Sequence, residues 1–426
     1  MRAYTLLAPL LVLVATVGLG QSVRTVHPAD STFKKLDTAL HTLFSKLGLI
    51  RGPVYGVLLS QPQRRASDYA AGLRARTLEL NWSLAEPANT AWNSAYLNSK
   101  LAEYQEDRRA GFQVVLDFGI QYPPRWVMDG PDTHFVDQDG ANYNSASSGA
   151  NPLNAVFNQA VRDKQAAYIH HVFQVLGHNF LAVRLGFGRY GEIGYPPVAP
   201  GANSYWGFDQ LALGKRPGLA RGVGLNPVPH WQAGAGPVGA EEQQQALVLT
   251  GWYLEALGNY QDWQIETVRR DYQGRLFMLY PSFGMRPGQL GAAVTGGLRG
   301  QSPAERNTDL QRGLDFERLV WRIRDPLVSP YTTWLDADGD FINDASSDPT
   351  FWSPVHYLVL LSSQNSRNLQ VWGENTGANS VADLERCLQR VRAYQLGGMF
   401  WAFNEDLYSG QHASIEQLKE ALSRRQ

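Results

Sequence analysis

LAVRLGFGRYGEIGYPP, residues 181–197, decides how this chain is read. It opens as a short apolar strand, LAVRLGFG (181–188), broken only by Arg184. It then enters a glycine-rich turn that carries one acid, Glu192, before Tyr195 and a pair of prolines. A buried strand that delivers a lone carboxylate into a glycine turn at its C-terminal end is what a parallel barrel uses to build a site. Upstream lies a long helical segment, NAVFNQAVRDKQAAYIHHVFQVLG (154–177), and downstream another, EEQQQALVLTGWYLEALGNYQDWQIETVRRDY (241–272). Strand and helix patterns alternate outward from there.

On the N-terminal side the reading gives VYGVLLSQ (54–61) as strand one, DYAAGLRAR (68–76) as helix and TLELNW (77–82) as strand two. AYLNSKLAEYQEDRRAG (95–111) is a helix stopped at Gly111, and FQVVLDF (112–118) is strand three. On the C-terminal side RLFMLYPSF (275–283) is strand five, LDFERLVWRIRD (314–325) helix, and SPYTTWLD (329–336) strand six. LQVWGEN (369–375) is strand seven, SVADLERCLQRVRAYQ (380–395) helix, GGMFWAFN (397–404) strand eight and SIEQLKEALSRR (414–425) the closing helix. SPVHYLVLLSSQNSR (353–367) passes for a strand on its apolar run. It is read as helix because strand seven follows at once and needs one before it. Eight strands, each followed by a helix, predict an α/β fold, a (β/α)8 TIM barrel, with long loops at the C-terminal face after strands three to six. A doubly wound open sheet would need a glycine-rich phosphate turn after an early strand, and none is present.

The remaining composition narrows the function. The first twenty residues, MRAYTLLAPLLVLVATVGLG, read as a signal peptide: Arg2, an apolar run over 6–17, then small residues with cleavage near Gly20. That predicts a secreted or extracytoplasmic chain with residues 21–426 as a single barrel domain, and no membrane contact after cleavage. Lys plus Arg total 38 against 39 Asp plus Glu, so there is no basic field for nucleic acid. One cysteine, Cys387, excludes an internal disulfide and sits at helical spacing with Leu384 and Leu388 as a buried hydrophobe. Zinc-ligand spacings and a GxSxG elbow are absent, and no cofactor or metal is expected. The acidic run DADGDFIND (336–344) lacks the glycine and glutamate of a calcium loop and reads as an acidic lip, with a bound cation left open.

Glu192 past strand four and Glu374 at the end of strand seven lie across the barrel from each other. Two carboxylates so placed can flank one glycosidic bond: one protonates the leaving oxygen, the other attacks the anomeric carbon or activates water. Around them the sequence offers Tyr190, Tyr195, Trp372 and Trp401 as ring-stacking or pKa-raising surfaces, with Trp126 and Trp334 as further stacking candidates. Trp82 and Glu86 are read at the end of strand two and Asp117 at the end of strand three. Arg184 is its expected partner, and Asn375 and Asn404 lie on the loops after strands seven and eight.

Two families resemble these segments. GFGRYGEIGYPP is similar to the β-amylase segment around the catalytic acid, sharing G-x-x-G-E-x-x-Y-P as Gly188, Gly191, Glu192, Tyr195 and Pro196. WGENTG resembles that family's G-E-N around the catalytic base, here Gly373, Glu374 and Asn375. PPRWVMDGPDTHFVDQDGANYN (123–144) is similar to the stretch after strand three of the same family. NWSLAEP (81–87) instead resembles the W-x-x-x-E-P of the family 42 β-galactosidases. The resemblance implies a glycoside hydrolase barrel with a carbohydrate substrate and this glutamate pair. It does not imply α-1,4-glucan as substrate, because YTTWLDADGD at strand six has no lysine where β-amylases carry one. Gly191 also stands where the large retaining clan places Asn. A non-catalytic carbohydrate-binding barrel and a transglycosidase using the same pair remain alternatives. The sequence leans toward retention of configuration, through the galactosidase-like strand two.

Overall fold

The structure, a computed structural model, describes residues 52–143, 151–197, 203–232, 238–299, 307–377, 379–402 and 405–424. The leader read over 1–20 and Asn404 lie outside them. The strands are β1 (Val54–Val57), β2 (Ala75–Glu79), β3 (Gln113–Asp117), β4 (Ala182–Leu185), β5 (Arg275–Tyr280), β6 (Val328–Thr332), β7 (Trp372–Glu374) and β8 (Gly398–Trp401). They close in chain order into one barrel, with every neighbouring pair parallel, β1 and β8 included. One principal helix follows each strand: α1 (Arg65–Ala70), α2 (Ser94–Arg109), α3 (Gln159–Leu176), α4 (Ala240–Arg269), α5 (Phe316–Arg322), α6 (Pro354–Gln364), α7 (Val381–Ala393) and α8 (Ile415–Ser423). Residues Pro53–Gln426 make up one compact unit. No helix among the described residues is long and apolar enough to cross a membrane.

Two cores hold the barrel. Ala75, Val115, Ala182, Phe277, Leu279, Tyr331, Trp372 and Phe400 fill its interior, one or two from each of β2 to β8. The larger cluster lies between the barrel wall and the helices and includes Leu78, Leu116, Val183, Leu276, Met278 and Trp401. The alternation follows from the strand period of two, which sends neighbouring residues to opposite faces. The segment over 353–367 is helical, as its context required. Ser353 caps it, its hydroxyl accepting from the His356 amide, and Pro354 stands at the first turn, where its missing N–H costs nothing.

Two boundaries differ from the expectation. The helix read over 68–76 ends at Ala70, because Gly72 takes φ +97° and turns the chain, so that Ala75 and Arg76 already belong to β2. β2 in turn stops at Glu79, and Trp82 opens a four-residue helix, Trp82–Ala85, rather than closing a strand. The loop before α7 returns the chain sharply after β7. Ser380 and Asp383 form a reciprocal capping box there. Ser380→Ala is expected to cost about 1 kcal/mol in a urea melt, the usual worth of such a cap.

Candidate active site

Three adjacent strands place three charged side chains in one row. Glu79 of β2 pairs in register with Asp117 of β3, and Asp117 with Arg184 of β4. Each lies two residues, or a multiple of two, beyond an interior residue of its own strand (Ala75, Val115, Ala182), so all three project inward above the aromatic plug. Arg184 Nε donates to Asp117 Oδ2 at 3.0 Å, and its Nη1 donates across the barrel to Glu374 Oε2 at 2.7 Å. The Tyr331 hydroxyl donates to the same Glu374 oxygen at 2.8 Å. Gly373 permits this approach: a Cβ there would lie 2.7 Å from Thr332 Cγ2, forcing β6 and β7 apart. A guanidinium and a phenol together stabilise negative charge on Glu374.

Glu192 is placed by its turn. The Glu192 carbonyl accepts from the amides of Phe187 and Gly188, and Ile193 N donates to Leu279 O of β5, so the acid is tied both to the turn leaving β4 and to β5. Gly186, at φ +148°, would put a Cβ 2.1 Å from Gly191 O, so this hairpin-like return closes only on glycine. The Glu192 carboxyl accepts from the Thr333 hydroxyl at 2.7 Å, and Arg312 Nη2 stands 3.5 Å from its other oxygen. Burial pushes the Glu192 carboxyl above its ordinary range. Arg312, Thr333 and Arg184 pull it back, and the charge on Glu374 adds to the rise. Glu79 is pushed up to about 7, by burial first and then by the neighbouring Asp117.

These groups line one cavity of about 430 Å³ at the C-terminal ends of the strands. Of the residues singled out in the sequence, it brings together Glu192, Glu374, Asp117, Arg184, Tyr190, Trp334 and Asn375. Tyr190 stands at its lip, 64% exposed. Asn375 accepts from Ala402 N and donates to Asn379, which locks the loop behind Glu374.

The structure does not bring the other described ones to the cavity. Trp82 is fully buried, stacked on Tyr168 with ring centroids 5.2 Å apart, and its indole N–H donates to Glu86 Oε2. Glu86 spends its other oxygen on Thr90 N, and Trp126 donates to the Glu86 carbonyl. The W-x-x-x-E-P segment is therefore a closed hydrogen-bonded unit that packs the chain after β2. Tyr195 stacks on Tyr253 at 3.9 Å and donates to its carbonyl. Trp372 points into the barrel as Glu374 does, but one layer lower, against Phe277. Trp401 neighbours the inward Phe400 and so faces the helices. The acidic lip is partnered too: Asp336 accepts from Thr376, and Asp338 pairs with Arg386. Among the described residues no group of three or more His, Cys, Asp or Glu side chains could hold a metal ion.

The sequence reading passed over Glu79, Thr77, Gln121, Tyr122 and Thr333 of the lining, and Tyr331 and Arg312 behind it. Glu79 had a signal. In TLELNW it shares the strand parity of Thr77, though Trp82 and Glu86 further on are the more conspicuous residues. Tyr331, Thr333 and Arg312 had none, since only the closed barrel brings them to the two glutamates.

No family model matches the chain, and no curated protein matches it by sequence. Solved structures do match in fold. The catalytic domain of β-amylase from Paenibacillus polymyxa superposes with a TM-score of 0.62 at 13% identity, over 88% of this chain and 98% of that one. β-Galactosidase from the psychrophilic Marinomonas ef1 gives 0.53 at 13% identity, over 87% and 58%. Gan42B, a GH42 β-galactosidase, gives 0.55 at 9% identity, over 88% and 56%. The chain thus spans nearly all of the β-amylase domain and little more than half of each galactosidase. It shares the (β/α)8-barrel fold of these three structures.

Proposed function

We propose that the protein is a secreted glycoside hydrolase acting on O-glycosidic bonds of an oligo- or polysaccharide, with Glu192 as acid/base and Glu374 as nucleophile. The observation that carries this reading is the unequal setting of two carboxyls in one cavity. Glu192 is buried and raised, fit to hold a proton. Glu374 is held and oriented by Arg184 and Tyr331. A carboxyl raised by burial suits the acid, and one fixed by a guanidinium and a phenol suits its partner. In the first step Glu192 gives its proton to the glycosidic oxygen, the bond from that oxygen to the anomeric carbon breaks, and a Glu374 oxygen bonds to that carbon. In the second, Glu192 takes a proton from water, the hydroxide bonds to the same carbon, and Glu374 leaves. The fold of the β-amylase and β-galactosidase neighbours supports a carbohydrate substrate.

Proton NMR of the first-formed product tests the assignment. Retention of the anomeric configuration is expected. Inversion would make Glu374 a base that activates water, as in the β-amylase pattern of Gly191 and Asn375. Product glycosides formed with an added acceptor sugar would mark a transglycosidase, and a folded chain that turns over no glycoside would be a binding barrel.

Arg312 offers a second check. Its charge is the largest pull against the burial that raises Glu192, so Arg312→Gln leaves only Thr333 and Arg184 to oppose burial and Glu374. A general acid must be protonated to work, and a higher pKa keeps it so to higher pH. The alkaline limb of the kcat/KM profile is expected to move up. A limb that stays or moves down removes Arg312 from control of the acid.

A further inference from the structure

Four carboxylates line the cavity, Glu79, Asp117, Glu192 and Glu374, against one guanidinium among its described lining residues. That guanidinium, Arg184, is consumed by Asp117 and Glu374. Among the described residues Glu79 has no cation within ion-pairing distance; its polar neighbours are Gln121 Nε2, at 3.5 Å, and the Tyr122 hydroxyl. Gln121 itself is only 2% exposed, lines the cavity, and leaves its Oε1 without any hydrogen-bond partner. The wall made by Glu79, Asp117 and Gln121 therefore carries more carboxyl than cation, and Glu79, pushed up to about 7, takes its full charge only when a cation comes to it. A buried acceptor without a donor is costly, and so is a buried carboxylate without a cation. The group that completes such a wall has donors, no acceptor and positive charge, which describes an ammonium with its three N–H bonds. A sugar hydroxyl brings one donor and two further lone pairs, and leaves the charge unmatched.

We propose that the Glu79–Asp117–Gln121 wall binds a protonated amine of the sugar that Glu374 attacks, so that the substrate is a glycoside of an amino sugar with its amine free. The sugar concerned follows from Arg184. One guanidinium spans Asp117 and Glu374, so a group resting on Asp117 belongs to the same sugar ring as the anomeric carbon facing Glu374. This assignment rests on the hydrolase reading above, but the wall can be tested apart from it. With the amine seated, Glu79 gains the cation it lacks, which favours its ionised form.

The test is calorimetric titration of the full chain carrying Glu192→Gln near neutral pH. The probes are the α- and β-4-nitrophenyl glycosides of D-glucosamine and D-galactosamine, their N-acetyl forms, and the parent glucosides and galactosides. At least one free amine is expected to bind about tenfold more tightly than its N-acetyl and neutral counterparts. Glu79→Gln in the same background is expected to erase that difference while circular dichroism stays unchanged. Equal binding across the panel, tighter binding of the neutral or acetylated forms, no binding of any amine, or a preference that survives Glu79→Gln overturns the inference. An amine preference in a wild-type chain that hydrolyses none of these glycosides keeps the amine site and sinks the hydrolase reading. Hydrolysis of the neutral glycosides with no amine preference does the reverse.

Discussion

Glu374→Gln and Glu192→Gln are each expected to stop turnover of natural glycosides, and to differ on activated ones. Glutamine keeps the volume and accepts hydrogen bonds but neither donates an acid proton nor attacks as a carboxylate. Loss of the general acid alone is worth roughly 10²–10⁴ in rate. A dinitrophenyl leaving group departs without a proton, so Glu192→Gln should recover much of its first step on a dinitrophenyl glycoside, whereas Glu374→Gln should not. The split follows from the two settings: Glu192 sits in a buried pocket beside Thr333, Glu374 in the grip of Arg184 and Tyr331. Recovery of both variants, or near-normal activity of either in a purified folded sample, would remove that residue from the role given to it.

Arg184→Met is expected to be the most damaging single change to stability. The Arg184 side chain is only 4% exposed and is the one cation that Asp117 and Glu374 both contact. Methionine keeps much of the volume and removes the charge. Two carboxylates then face each other and Glu79 across a cavity with no cation among its described lining residues. Breaking a buried pair by deleting one partner typically costs about 3–5 kcal/mol, because the other charge stays buried and alone. Guanidinium melts should show a loss of that size, and it should shrink in acid, where the stranded carboxylates can protonate. A loss under about 1 kcal/mol, the worth of an exposed pair, would mean that water already compensates these groups and that the network does not hold the barrel top.

The three variants together separate chemistry from scaffold. Glu192→Gln and Glu374→Gln should leave the melt nearly where it was. Arg184→Met should move both melt and rate, because Arg184 both neutralises Asp117 and orients Glu374.

Much of this was legible in the chain. Hydrophobic period is a local property, and it marked eight strands and most of the helices between them; the helix at Pro354–Gln364, which its own apolar run disguised, followed only from the strand that comes after it. Glu192 and Glu374 stood out because glycine turns flank them at strand ends. Asp117 and Arg184 stood out because a charge on an apolar strand needs a partner. Boundaries read less well, since a single left-handed residue such as Gly72 ends a helix whose pattern continues past it.

Side-chain direction was harder. Trp372 and Trp401 are both at the end of a strand beside the site. One fills the barrel below the cavity and the other faces the helices, because parity and layer, not proximity in sequence, decide where a strand residue points. Trp82, Glu86 and Trp126 looked like sugar contacts and instead satisfy one another's polar atoms. By itself the sequence determined the order of strands and helices, and with it the barrel and the two glutamates, since these rest on period and on residues adjacent in the chain. Only the tertiary structure decided what surrounds those glutamates. Thr333, Tyr331, Arg312 and Glu79 come from different strands and loops, and the electrostatics that distinguish one carboxyl from another exist only after barrel closure has removed water and set these charges side by side.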